Sequence, residues 1–324
     1  SEAAMRDCIR RMPNGTYEFE DFLDDDGIDT DKPVRIHAKV TITGDRMTVD
    51  LSGSAPEVRG PINATLGSSS SAVYFAVVAA ADRPIVPNAG CYRPIEIIAP
   101  EGLIVSARHP APVAHRIAPC HVLLNVLFGA LSKAIPDRMP AAYYAVSYVC
   151  SFQTQSADGT RKVLVEIEVG GCGAHPKGDG ASAHSFGMHN NSAIPIEMIE
   201  SDVPVTFMGY GLAPGSGGAG RHRGGLGLKR EWRIDSETAN FTGQMDRFRF
   251  RPYGLFGGEA GAAGQLVLIR DGKEQPLHSK VANMRLLKGD IIRLVTSGGG
   301  GLGPASERSA AANAEDAERG YTTA

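Results

Sequence analysis

The chain has 324 residues, 42% of them hydrophobic, enough to bury a sizeable core as one large domain or two of ordinary size. Its 33 Lys and Arg against 36 Asp and Glu leave a net charge of −3, too even a balance to attract nucleic acid or an anionic membrane surface. No apolar run approaches the roughly 20 residues of a membrane span and no signal-peptide pattern opens the chain, so the expectation is a cytoplasmic protein with neither membrane nor nucleic acid as partner.

In chain order, residues 1–12 open directly on a helical pattern that stops at Pro13 and Gly15. Residue 1 is Ser, and the abrupt start is expected of a processed chain, a split gene or a fragment. "RIHAKVTIT" sets Ile36, Ala38, Val40 and Ile42 on one face, and "RMTVDL" repeats the alternation after Gly44-Asp45, so a β-hairpin with a two-residue turn is expected. "SSSSAVYFAVVAAADRP" predicts a buried helix behind a Ser cap, ending before Pro84. "PCHVLLNVLFGALSKAIP" predicts a second helix, with Leu123, Leu127, Ala130, Leu131 and Ala134 at helical spacing. From about Ala145 strands take over: "VLVEIEV", "VTFMGYGL", "LGLKREWRI", "TANFTG", "GQLVLIRDGK" and "IIRLVTS", with glycine-rich connections between them.

The fold class is therefore α+β. A mixed sheet-and-helix region spans 1–144, a β-rich, glycine-rich region spans 145–304, and 305–324 form a tail without an apolar face, read as a peripheral helix or a disordered end. Five scattered cysteines, Cys8, Cys91, Cys120, Cys150 and Cys172, suit reduced, buried thiols better than a disulfide framework or a zinc ribbon.

Several places could carry chemistry. Arg93 stands in the loop "NAGCYRP", where a salt-bridged surface arginine and a substrate contact are equally good readings. His109, His115, Arg116 and His121 surround a helix start, where free N–H groups favour an anion, although capping and surface exposure are the preferred roles. His175, Asp179, His184 and His189 fall among glycines and could ligate zinc or manganese, but their spacing matches no tight metal-binding pattern, so no metal is assigned and a loop whose polar groups bind one another or a substrate carbonyl is preferred. Glu197 and Glu200 share one side of a helical turn, suited to acid–base work or to pairing with arginine, the latter being preferred. The stretch Gly209–Trp232, "GYGLAPGSGGAGRHRGGLGLKREW", holds glycines and arginines at a density no packed element is expected to use. Its arginines set it apart from a Gly-Ser linker.

"MPNGTYEFEDFLDDDG", "GPINAT", "NAGCYRP", "GGCGAHPKGDG", "NNSAIPIEMIE", "GSGGAGRHRGGLG", "RPYGLFGG" and "SGGGGLGP" occur in the order seen in the hydantoinase B / oxoprolinase family. Over nearly its whole length the chain resembles the carboxy-terminal part of the B-type subunit of N-methylhydantoinase-type enzymes. The resemblance implies an ATP-dependent hydrolase of a cyclic amide, in which a hydantoinase A-type partner binds ATP and phosphorylates the carbonyl, with a divalent metal (Zn, Mn or Mg) in the complex. The alternatives it leaves open are a subunit portion of an acetone- or acetophenone-type carboxylase and a non-catalytic structural subunit. The family's His and Asp metal ligands belong to an amino-terminal part upstream of this sequence, so the chain alone is expected to bind neither ATP nor metal and to be inactive without its partners. Residues expected to meet substrate or intermediate are Arg93, Arg116, His175, Asp179, Asn190, Glu197, Gly217, Gly218, Arg221 and Arg223, and no catalytic residue is assigned. His175 stands where relatives commonly carry Arg. The glycine-arginine stretch is expected to form a rigid loop system facing either the phosphorylated intermediate or the partner subunit.

Overall fold

The structure is a computed structural model that describes residues 1–156 and 158–322. After α1 (Glu2–Arg10), β1 (Gly15–Leu23), β2 (Val34–Thr43) and β3 (Arg46–Asp50) form an antiparallel run. The β2–β3 connection is the expected Gly44-Asp45 turn, with Gly44 at φ +60°, where a side chain is disfavoured. β4 (Ile95–Ile98) joins β3 in parallel after a crossover containing α2 (Leu66–Ala79) and the short α3 (Ala89–Tyr92). α2 begins behind Thr65, so the serines expected to cap it lie inside its first turns.

The alternating aliphatics of β2 and β3 are fully buried, and α4 (Ile117–Ser132) covers the sheet, packing on β1, β2 and α2. Gly129 lets α4 lie close to the sheet, since a Cβ there would meet the Phe19 ring at 2.6 Å. Nearly all of α4 is buried, and its polar side chains are satisfied internally: Asn125 donates to the Tyr143 carbonyl at 2.9 Å and Ser132 to that of Gly129 at 2.8 Å.

The remaining strands form two antiparallel sheets. One has the order β12 (Lys280–Leu287), β9 (Thr238–Gln244), β5 (Tyr148–Gln155), β6 (Arg161–Glu168). The other runs β11 (Lys273–Leu277), β10 (Gln265–Arg270), β13 (Ile291–Val295), β8 (Leu228–Ile234), β7 (Val205–Leu212), with α5 (Ile196–Asp202) leading into β7. The sheets meet where the Phe152 ring of β5 lies 5.5 Å from Trp232 of β8, with Phe241 of the neighbouring strand β9 5.0 Å away in the same sheet as Phe152. α6 (Ala310–Glu318) closes the chain as a docked helix, and no helix among the described residues is long and apolar enough to cross a membrane. All five cysteines are free and buried.

Outside these elements lies a layer built almost without side chains. Segments around 141–144, 170–174, 178–183, 216–227, 252–261 and 297–303 run beside one another and exchange backbone hydrogen bonds outside any strand ladder. Gly218 N–H donates to Gly299 O at 2.9 Å, Gly224 to Gly218 at 2.9 Å, Gly225 to Cys172 at 2.7 Å, Gly299 to Gly225 at 2.9 Å and Gly300 to Ala142 at 2.8 Å. A Cβ on Gly171, Gly224, Gly225, Gly298 or Gly299 would stand 1.9 Å from a neighbouring carbonyl oxygen. None of these five has a positive φ, so close backbone approach, not a left-handed conformation, requires glycine here. The glycine-rich stretch is thus a packed element of its own kind.

Candidate functional site

A largely buried polar group gathers where α4, the 143–148 segment and the 184–190 loop converge. His121, in the first turns of α4, is fully buried. Its Nδ1 lies 2.6 Å from the Tyr143 hydroxyl and its Nε2 lies 3.1 Å from His189 Nε2. His189 Nδ1 lies 2.9 Å from the Tyr144 hydroxyl, and the Ser147 hydroxyl bonds His189 Nε2 and lies 3.4 Å from His121 Nε2. Because Tyr144 Oη accepts the Phe186 N–H at 3.4 Å, its own proton goes to His189 Nδ1. His189 then donates from Nε2, and His121 accepts at Nε2 and donates from Nδ1 to Tyr143, an assignment made from the network.

Burial keeps both imidazoles neutral: it pulls His189 down to about 4 and His121 well below the usual histidine value, the neighbouring imidazole adding to the second. Two phenols, two neutral imidazoles and a hydroxyl in mutual reach can relay a proton without exposing charge to water. The relay ends just behind a surface cleft, because Phe186, whose N–H anchors Tyr144, also lines that cleft.

A second polar cluster lies behind His115. The "DDDG" turn after β1 turns inward: Asp24 accepts the N–H groups of Phe248, Arg249 and Phe250 at 2.7, 3.0 and 3.1 Å. Burial, and then the charge of Asp246, raise Asp24 to about 6. Lys280 reaches Asp246 at 3.0 Å and Asp25 at 3.5 Å. Arg247, fully buried and held at φ +70°, grips Asp21 with two bonds of 3.1 and 2.8 Å. His115 and Lys280 line a cavity of about 120 Å³, and His115 Nε2 has no hydrogen-bond partner among the described residues. Burial pulls His115 down to about 4.

The residues expected from sequence are dispersed. His175 and Asp179 do come together, on the wall of a cleft of about 830 Å³ shared with Asp137, Arg138, Cys172 and His184. Both Asp179 oxygens are engaged by Arg308 at 2.8 Å each, and the Arg223 N–H adds a bond of 2.7 Å. Arg223 is not an open anion fork: its Nε binds Asp316 at 3.1 Å and its Nη1 the Gly224 carbonyl at 2.6 Å. Gly217 and Gly218 lie inside the glycine layer, and Arg221 reaches Glu307 at 3.4 Å. Arg93 pairs with Glu2 at 3.0 Å on the surface, the surface-salt-bridge alternative of its loop. Arg116 is the N-cap residue of α4, and Asn190 and Glu197 are exposed. Glu200 accepts the Phe207 N–H at 2.7 Å and, among the described residues, pairs with none of the glycine-stretch arginines; a backbone donor closer in the fold supplies its partner.

Tyr143, Tyr144, Ser147, Asp246 and Lys280 carry no local sequence signal of a site. His121 and His189 stand 68 positions apart, and no local spacing joins them. Among the described residues no group of three or more His, Cys, Asp or Glu side chains is placed to hold a metal ion. Nor does the glycine stretch make a phosphate cradle, since the N–H groups of Gly218, Gly224 and Gly225 already bond carbonyls. Among the described residues a divalent metal therefore finds no ligand group, and the N–H groups of Gly218, Gly224 and Gly225 are not open to a nucleotide phosphate.

A profile of the Hydantoinase B/oxoprolinase family matches residues 1–305. The chain is 32% identical over 293 residues to 5-oxoprolinase 1 of Arabidopsis thaliana, covering 89% of this chain and 22% of that protein. Among solved structures, the ATP-dependent caprolactamase from Pseudomonas jessenii superposes on 99% of this chain with a TM-score of 0.89 at 27% identity, over 58% of its own length. The nucleotide-free acetone carboxylase has the same fold, at TM-score 0.85 and 17% identity over 99% of this chain and 49% of its own. The chain spans about half the length of other curated relatives that it matches, 53% and 54% for two of them.

Proposed function

Because the chain belongs to the hydantoinase B/oxoprolinase family, we propose that it is part of the B-type subunit of an ATP-dependent cyclic amidohydrolase, which opens a lactam, hydantoin or 5-oxoproline-like ring after an A-type partner phosphorylates the ring carbonyl. The observation that carries this reading is the superposition of 99% of the chain on an ATP-dependent caprolactamase. The likeness to acetone carboxylase, at 17% identity, reaches the fold alone, which puts the hydrolase reading first.

The physical chemistry is consistent with a divided machine. An amide carbonyl is a poor electrophile, and phosphate on its oxygen activates the carbon toward water. ATP and any divalent metal are held outside this chain, in the A-type partner and in the part of the B-type subunit that relatives carry beyond the matched half. This chain supplies the substrate-side cleft beside His175 and Asp179. Behind its wall, the Tyr144, His189, Ser147 and His121 relay holds a neutral donor for the amine nitrogen released as the ring opens. The exposed residues Arg93, Arg116, Asn190 and Glu197 stand as contacts for the neighbouring polypeptide.

The test is turnover in an assembly of this chain with an A-type subunit and the remainder of a B-type subunit, on hydantoin, 5-oxoproline and caprolactam. His189→Gln is expected to lower kcat by about 10²-fold or more, the usual weight of a positioned acid–base group, with a melting temperature within a few degrees of the parent. Unchanged kcat removes His189 from the reaction, and failure of the parent assembly on every cyclic amide rejects the hydrolase reading.

A further inference from the structure

We propose that residues 307–321 are a latch that holds the cleft wall in place, with Arg308 and Asp316 as positioning residues for Asp179 and Arg223. The family match stops at residue 305, so the latch lies outside the part of the chain shared with the family profile, yet its partners lie inside the motifs "GGCGAHPKGDG" and "GSGGAGRHRGGLG".

Four charged side chains form the fastening. The two terminal nitrogens of Arg308 take one Asp179 oxygen each at 2.8 Å, and Nη2 also takes Asp316 Oδ2 at 2.6 Å. Arg223 Nε reaches the same Asp316 oxygen at 3.1 Å. Arg308, Asp316 and Arg223 are 8%, 7% and 11% exposed and Asp179 is 32% exposed, so three of the four members of this quartet of zero net charge are nearly dry, the kind of setting in which losing one partner leaves the other charge uncompensated. Three further contacts fasten the ends. The Tyr321 carbonyl accepts the Gly215 N–H at 2.8 Å, the Tyr321 ring lies 5.2 Å from the Arg223 guanidinium, and Glu307 meets Arg221 at 3.4 Å.

α6 has only one buried residue, Asp316, so burial of an apolar face cannot be what docks it. The charges do. Their effect on the cleft follows from Asp179, which sits at the end of a tight turn closed by His175 and Gly178 bonding each other's backbone at 3.0 Å in both directions. One residue further, Gly180 N–H enters the glycine layer through the Arg223 carbonyl at 2.8 Å. Release of Asp179 from Arg308 would free that turn on the side where it walls the cleft, whatever ligand the cleft accepts.

The test is amide hydrogen exchange read peptide by peptide in the parent, in a chain ending at residue 305, and in the full-length Arg308→Gln and Arg308→Lys variants. Truncation and Arg308→Gln are expected to speed exchange about tenfold or more in peptides covering 175–183 and 223–226, while those of β2 and β3 keep the parent rate. Arg308→Lys is expected to fall between, since one ammonium cannot take both Asp179 oxygens and Asp316 in the fork geometry. Exchange within twofold of the parent at 175–183 in both disabling variants would overturn the proposal. An equal rise in β2 and β3 would overturn it too, because the tail would then support the whole fold and not the cleft.

Discussion

His115 and His189 are held neutral by lost solvation, and that fixes the sign of their contribution to stability. An imidazole that titrates near 6.5 when unfolded and at about 4 when folded favours the native state above 6.5, and the advantage drains away as pH falls from 6.5 through 4. For the well-buried His115 the shift corresponds to about 3 kcal/mol as an order of magnitude. Asp24, raised to about 6, works in the opposite direction over much of that window, so the parent profile mixes the two. The difference between parent and His115→Gln isolates the histidine. Urea unfolding from pH 7.5 to 4.5 is expected to give a shallower acid-side loss in the variant, and parallel curves would show that His115 is not buried as described. The glycines give a second residue-scale expectation. A Cβ on Gly299 would lie 1.9 Å from the Cys172 carbonyl oxygen, whereas one on Gly211 would meet nothing within 4 Å among the described residues. Gly299→Ala is expected to cost about 3 kcal/mol or more, at the upper end of overpacking effects, and Gly211→Ala to stay within about 1 kcal/mol of the parent; similar thermal melts for the two would contradict the packed-layer account. From sequence, glycine density showed that backbones must approach something. It could not show that the something is other glycine backbone, because a clash between residues 172 and 299 has no local signature.

Most elements announced themselves through period. The β2–β3 hairpin and α4 follow their apolar spacing closely, while β1 ("GTYEFEDFL") hides behind acidic residues on its outer face and went unassigned. β6 inverts the rule. In "RKVLVEIE", alternation would turn Val163, Val165 and Ile167 inward, yet they are 62%, 50% and 44% exposed, while Glu166 and Glu168 are buried. The reason lies on another strand: Arg230 of β8 is buried between the sheets, 2.7 Å from each carboxylate, with Phe207 and Tyr210 rings 4.7 and 4.6 Å from its guanidinium. Trp232 Nε1 completes the shell on Glu166 at 2.6 Å. No single strand's sequence reveals such a pairing. Arg230→Met would leave two carboxylates unpaired, at a cost of about 3–5 kcal/mol at neutral pH. Burial already lifts Glu168 to about 7 against the pull of Arg230, so without the arginine the penalty should shrink as pH falls and the carboxyls take up protons. Unfolding of the variant at pH 7.5 and pH 5 measures this; a parent-like midpoint at pH 7.5 would mean the cluster contributes nothing.

At the scale of the whole molecule, the inverted β6 leaves aliphatic surface in an unusual place. β6 and β7 are both edge strands, and Val165, Ile167, Ile194 and Tyr210 line a common groove of about 380 Å³, with Met198 and Met208 also exposed on the neighbouring α5 and β7. Such a surface is expected to be covered by polypeptide in an assembly and to self-associate when bare. Light scattering over a concentration series should show association of the parent and a shift to monomer for the Val165→Lys, Ile167→Lys double variant; a parent that stays monomeric and binds no hydrophobic dye would remove the argument. The proposed role, one part of an ATP-driven cyclic amidohydrolase that needs the other parts for turnover, is open to direct test. The most direct measurement is ADP release coupled to ring opening, made on the purified chain and on its assembly with an A-type subunit and the remaining B-type part, with and without bicarbonate. The account predicts no substrate-dependent ADP from the chain alone, even with added zinc or manganese, and bicarbonate-independent ADP release matched by ring-opened product from the assembly; substrate-dependent ATP hydrolysis by the chain alone, or an assembly that consumes ATP only with bicarbonate and a ketone, would contradict it.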